Sequence, residues 1–189
     1  EKSNVSVFTR DDNDYTPFYK LRTKAPYGGD YNYDFLIRRD ETKDIFLTLH
    51  DDSIIECENL YEVLMSSLKS YEFGGYLDTR EEIDGYAEMY IDNIPLTKQR
   101  IGTWFMYGLK DEYLKSNYKI ADYSNYWKYF LYFRYKFNKR LRFKNQKVWL
   151  NGGFDFNIRA RLEDRRIQLL DNEEKKIATH LTKITGFFA

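Results

Sequence analysis

Cysteine occurs once in this chain, at Cys57, so no intrachain disulfide can form and stability must come from a packed core. That suits a reducing compartment, or a particle assembled in one. One cysteine and two histidines exclude a structural zinc site of the usual Cys/His type within the chain. No stretch approaches the ~18 consecutive apolar residues of a membrane-spanning helix. The opening residues EKSNVSVFTRDDNDY contain no apolar core of a signal peptide. The expectation is therefore a cytoplasmic or virion-associated chain with no membrane partner. Proline is scarce, at three residues, and with abundant Tyr, Asn, Lys, Phe and Ile this matches translation of an AT-rich genome.

What is present is aromatic and charged. Tyrosine (18) and phenylalanine (14) supply much of a 42% hydrophobic content. A tyrosine ring has a polar end, which places many such rings at a core's edge or in contacts. At 189 residues the chain fits one domain, or one domain with an arm. A domain of this size buries roughly 70% of the surface its unfolded chain exposes.

Formal net charge is zero, but the charges are segregated. Tyr113–Leu150 has ten basic residues against Asp122 alone, a net +9. Asn151–Ala189 adds +1, which leaves −10 on Glu1–Glu112. Such asymmetry points to a polyanion or an acidic protein surface as partner. It also fits an acidic half folded against a basic half, or a homo-oligomer in which acidic and basic faces of successive copies meet.

Along the chain, Glu1–Asp30 has little periodicity and is punctuated by DDND, TP and APYGGD, which predicts a loop or extended arm. Residues 31–189 are expected to form a single α+β domain. Alternation in Tyr31–Arg38 and again at Ile45, Leu47 and Leu49 predicts an N-terminal β-hairpin. Leu60, Val63, Leu64 and Leu68 fall at helical spacing, which predicts a helix over Glu58–Tyr71, ended by FGGY. Thr79 and Glu82 have capping-box spacing, so a helix is expected through about Ile91, with Gly85 within it and Pro95 closing it. One or two further helices are expected around Leu96–Ser116.

The tract YWKYFLYFRYKFNKRLRFKNQKVW, Tyr126–Trp149, matches both periodicities. Its aromatic enrichment favours strand and its unbroken run without Gly or Pro favours helix. The expectation is a helix near Ser124–Asn138, with Asp122 as cap, then a strand through Leu141, Phe143 and Val148. Asn151–Gly153 supplies the positive φ angles of a tight turn, predicting a second β-hairpin. Phe154, Phe156, Ile158, Ala160 and Leu162 alternate with polar residues and predict its outgoing strand. Asp171 and Glu174 have capping spacing ahead of Ile177, Leu181 and Ile184, which predicts a C-terminal helix stopped at Gly186.

Catalytic chemistry finds little support. His50, Asp51 and Asp52 are the one compact His/Asp group, and a turn with side-chain capping accounts for them. Cys57 is expected to be an inert buried thiol, and His180 a surface or boundary residue. The carboxylates at Asp11, Asp12 and Asp14, at Asp40, Glu41 and Asp44, and at Glu81, Glu82 and Asp84 lack calcium-loop spacing. Gly74–Gly75 and Gly152–Gly153 lack the context of a phosphate loop. No catalytic residue, metal ligand or cofactor is named.

The basic aromatic tract carries the functional reading. Lys and Arg neutralise phosphates or carboxylates, and aromatic rings stack or dock. The candidate contact residues are Lys128, Arg134, Lys136, Lys139, Arg140, Arg142, Lys144, Lys147 and Trp149. A packed aromatic face with a solvated basic face satisfies the same pattern. The reading is a non-catalytic interaction or assembly protein, such as a virus or phage structural component or an inhibitor of another protein, docking through an aromatic, basic surface. A nucleic-acid-binding module using 126–149 is the alternative, and an enzyme ranks third.

Overall fold

The computed structural model describes residues 37–38, 44–50, 53–78, 89–116, 118, 137–143, 154–170 and 176–180. They form an α+β structure. The elements run β1 (Ile45–Leu49), β2 (Ser53–Ile55), α1 (Leu60–Leu68), β3 (Phe73–Leu77), β4 (Met89–Ile91), β5 (Ile94–Pro95), β6 (Ile101–Leu109), α2 (Lys110–Lys115), β7 (Leu141–Phe143), α3 (Phe154–Leu162), β8 (Ile167–Leu170) and β9 (Ala178–His180).

The centre is a four-stranded sheet ordered β1-β6-β3-β8. β6 runs antiparallel to β1 and β3, while β8 lies parallel to β3. Successive side chains on a strand point to opposite faces, and here both faces are covered. Phe46, Phe73, Ile101 and Met106 meet Tyr113 of α2 and Phe156 and Ala160 of α3 on one face. Tyr76, Trp104, Phe105 and Tyr107 meet Leu64 and Leu68 of α1, with Ile177 and Ala178, on the other.

β6, IGTWFMYGL, corrects the helices expected over Leu96–Ser116; only α2 and a 3-10 turn at Leu96–Lys98 are helical there. A strand buried on both faces reads as a continuous apolar run and shows no alternation. Its Ile, Thr, Trp, Phe and Tyr residues favour a pleated surface. FGGY is likewise strand, not a break. A Cβ on Gly74 would stand 2.3 Å from the Tyr107 ring, and one on Gly75 would stand 2.5 Å from the Phe105 carbonyl oxygen. Both glycines are there to let β3 approach β6.

β1 and α1 lie where the sequence places them, but β1 pairs with β6. Ile37 and Arg38 have helical backbone, which removes them from the expected first hairpin; residues 31–36 lie outside the described residues. The helix expected through Ile91 gives way to β4 over Met89–Ile91, and its Thr79/Glu82 cap lies outside the described residues. β4 turns into β5 through Asp92 (φ 52°) and Asn93 (φ 66°), the two positive φ angles of a type I′ hairpin.

Phe154–Leu162 is helix, not strand. Phe156, Asn157, Ile158 and Ala160 are all buried, so no clean helical stripe marks it, and the buried polar residue imitates alternation. The Asn151–Gly153 turn lies outside the described residues. The expected C-terminal helix is corrected at Ala178–His180, which pair antiparallel with β2 as β9; Asp171, Glu174 and the residues from Leu181 onward lie outside the described residues.

Tyrosines lie deep in this core. Tyr76, Tyr107, Tyr113 and Tyr118 are fully buried, beyond the edge position expected of them. Partners satisfy their polar ends: Tyr76 Oη accepts from the Ile177 and Ala178 N–H groups at 2.8 and 3.0 Å, and Tyr107 Oη donates to Gln168 at 2.8 Å. A buried ring that satisfies its hydroxyl keeps its full apolar contribution.

Candidate functional site

Of the nine residues expected to contact a partner, Lys139, Arg140 and Arg142 are described; Lys128, Arg134, Lys136, Lys144, Lys147 and Trp149 lie outside the described residues. The three belong to the small sheet β5-β4-β7 and the turn leading into it. Register sets Leu141 opposite Ile91 and Arg142 opposite Tyr90. Leu141 and Ile91 are buried, so their neighbours Arg142 and Tyr90 point to the opposite face, where Arg142 is exposed.

Arg140 does something else. Its Nε donates to Asp92 Oδ1 at 2.9 Å, its Nη2 to Asp92 Oδ2 and to Asp164 Oδ1 at 2.7 Å each, and its Nη1 to the Leu162 carbonyl at 3.0 Å. One guanidinium thus ties β7 to the β4–β5 turn and to the end of α3. The Arg140 hydrogen bonds hold the Asp92 carboxyl below its usual range. Reciprocally, hydrogen bonds from Asp92 and then Asp164 raise the Arg140 pKa. Its charge is spent within the chain, on one partner from the acidic half and one from beyond the basic tract.

An apolar ring stands near the remaining cations. Phe137, two residues before exposed Lys139, is 83% exposed; Ile94 on edge strand β5 is half exposed, but it pairs with Ile91 and so stands on the face away from Arg142. A second surface has the opposite charge. On β2 and the start of α1, Ile54, Ile55 and Tyr61 are exposed among exposed Glu56, Glu58 and Glu62. Glu56 accepts from the Thr179 hydroxyl and pairs with Lys176 Nζ at 3.0 Å. Those two hydrogen bonds, Thr179 first, hold its pKa below the usual value. No residue of this surface stands out in the sequence as a contact, because two adjacent isoleucines carry no local mark of exposure.

The elements nearest the two surfaces pack on different faces of the central sheet. α1 covers the Tyr76–Trp104 face. The small sheet is tied through Arg140 to the end of α3, which covers the Phe73–Met106 face. It is also tied through Gln99, whose Nε2 donates to the Ile91 and Ile94 carbonyls at 3.2 and 2.9 Å while its carbonyl accepts Arg161 Nε at 2.9 Å.

The chain's two histidines also meet. His50, just past β1, brings Nδ1 to 3.3 Å from Nε2 of His180 on β9. His180 is 7% exposed, which corrects its expected surface position. The Trp104 ring lies 5.0 Å from it and stacks on Tyr76 at 4.8 Å. Asp51 and Asp52 lie outside the described residues. Cys57 is half-buried against the Tyr76–Trp104 cluster.

Among the described residues no three His, Cys, Asp or Glu side chains converge as a metal cluster, and no helix is long and apolar enough to cross a membrane. In comparisons with protein-family models, curated proteins and solved structures, nothing matches this chain.

Proposed function

We propose that the protein is a non-catalytic assembly subunit whose copies dock head to tail, the basic apolar surface of one meeting the acidic apolar surface of the next. The observation that carries this reading is the pair of exposed apolar groups ringed by opposite charges. Phe137 stands with Lys139 in the turn that leads to Arg142, and Ile54, Ile55 and Tyr61 stand with Glu56, Glu58 and Glu62. Exposed aromatic and aliphatic anchors beside charges of one sign are what an interface uses for affinity and for partner choice. Because the two surfaces differ, the contact is heterologous and generates rings or open filaments. A structural component of a larger particle, as a virus or phage uses, fits that geometry.

Charge reversal tests it. Arg142→Glu and Glu62→Lys should each abolish self-association measured by light scattering. Mixing the two variants should restore a dimer and nothing longer, since each keeps one good surface. Binding of a single-stranded oligonucleotide that is lost in Arg142→Glu and untouched by Glu62→Lys, without self-association of the native chain, would replace this reading with nucleic-acid recognition.

A further inference from the structure

We propose that His50 Nδ1 and His180 Nε2 bind one divalent transition-metal ion of the kind imidazole prefers, Zn2+, Co2+, Ni2+ or Cu2+, with the Ser53 hydroxyl beside it. The separation of the two nitrogens is the first reason. Imidazole nitrogens bind zinc at ~2.0–2.1 Å, and across a tetrahedral angle two such ligands stand about 3.3 Å apart. The observed separation is 3.3 Å, at which the two nitrogens share one hydrogen bond, and a bound metal would take the place of that proton. The ring centroids are 5.3 Å apart at 56°, so the rings meet nitrogen to nitrogen and do not stack.

Placement is the second reason. These are the chain's only histidines, and the fold brings them together across 130 residues of sequence. The scaffold beneath is rigid: the His50 N–H donates to the Trp104 carbonyl at 3.1 Å, and Trp104 packs on both His180 and Tyr76. Fixed rings of this kind lower the ordering cost that weakens two-ligand sites.

Ser53 is the third. Its Oγ is buried and makes no hydrogen bond, a costly state for a hydroxyl. Ser53 lies directly opposite His180 in the β2–β9 register, so both side chains stand on one face of that pair. An ion held by the two imidazoles would give this hydroxyl a ligand position or a metal-bound water to contact. His50 is half-buried, leaving a solvent side from which an ion and its remaining waters can enter.

Bound metal would join the end of β1 to β9 and so fasten the small β2–β9 sheet to the central one. This proposal does not rest on the assembly reading and stands or falls separately.

The test is a titration of the tag-free chain with Co2+ alone, followed by calorimetry and by visible absorption. Expected are one ion per chain, tetrahedral cobalt absorption, competition by Zn2+ and tighter binding of Cu2+. His50→Gln and His180→Gln should each weaken binding by tenfold or more, and Ser53→Ala by a smaller factor. Saturating Zn2+ should raise the unfolding midpoint of the native chain and leave that of His50→Gln unmoved. His180 is buried and its variant can fail to fold, so half-buried His50 is the deciding position, with circular dichroism as its control. A native chain that binds no Co2+ or Zn2+ at millimolar concentration, or a folded His50→Gln that binds as the native chain does, overturns the proposal.

Discussion

Asn157 stands in for a strand neighbour of Ile101. Its Oδ1 accepts the Ile101 N–H at 2.7 Å, and its Nδ2 donates to the Ile101 carbonyl at 3.0 Å. One buried side-chain amide thereby satisfies both backbone groups at the start of β6 and locks α3 to the sheet. Asn157→Leu keeps the volume and orphans both groups, at about 1–3 kcal/mol for each buried polar group left unpaired. Asn157→Asp keeps the acceptor and loses the donor, so urea denaturation should rank it between the two.

Arg140 and Arg142 are two residues apart and answer to different demands. Arg140→Gln should lower the unfolding midpoint by roughly 2–4 °C, whereas Arg142→Gln should leave it unchanged. The Arg140 effect has a pH window. Because the Asp92 carboxyl is depressed in the folded state, the pair's stabilisation is present above the unfolded value of about 3.9 and fades as pH falls through the lower folded one. The gap between native and Arg140→Gln midpoints should therefore be full at pH 6 and narrow as pH falls below about 3.9. A gap constant over that range would show that the carboxylate pairing is not its source.

Tyr118 sets the alkaline limit. Burial, and then its hydrogen bond to Glu163, push its hydroxyl up to about 12. Folded pKa above unfolded pKa means that stability is intact below about pH 10 and is lost as pH rises toward 12. Chemical denaturation followed from pH 9 to 12 should show that loss, and Tyr118→Phe should remove part of the slope.

Gly75 tests the closeness of β3 and β6. A Cβ there meets Ile101 Cγ2 at 2.2 Å and the Phe105 carbonyl oxygen at 2.5 Å, and the second is backbone that cannot rotate away. Gly75→Ala should cost about 1–3 kcal/mol, the usual penalty of overpacking. A neutral effect in thermal unfolding would mean that the strands can separate there at no cost.

What could be read from the sequence was what a single period declares. Ile45, Leu47 and Leu49 alternate because only every second side chain of β1 faces α1, and Leu60, Leu64 and Leu68 repeat because α1 has one buried face. β6 concealed itself by being buried on both sides, and α3 by burying an asparagine. Gly74 and Gly75 looked like punctuation because the ring that needs their space, Tyr107, lies more than 30 residues away. The candidate site divides the same way. Leu141 inward and Arg142 outward follow from alternation. Arg140's capture could not be read, since Asp92 and Asp164 lie 48 and 24 residues from it. The Asp92-Asn93 turn was the one local signal overlooked: two residues that tolerate positive φ, flanked by Ile91 and Ile94.

The measurement that bears most directly on assembly is light-scattering mass of the native chain across a concentration and salt series, alone and with a mixed single-stranded oligonucleotide. Head-to-tail docking of opposite charges predicts masses that rise with concentration, fall as salt screens the contact, and collapse to the monomer in Phe137→Ser or Arg142→Glu. A native chain that stays monomeric at every concentration and at low salt would contradict it.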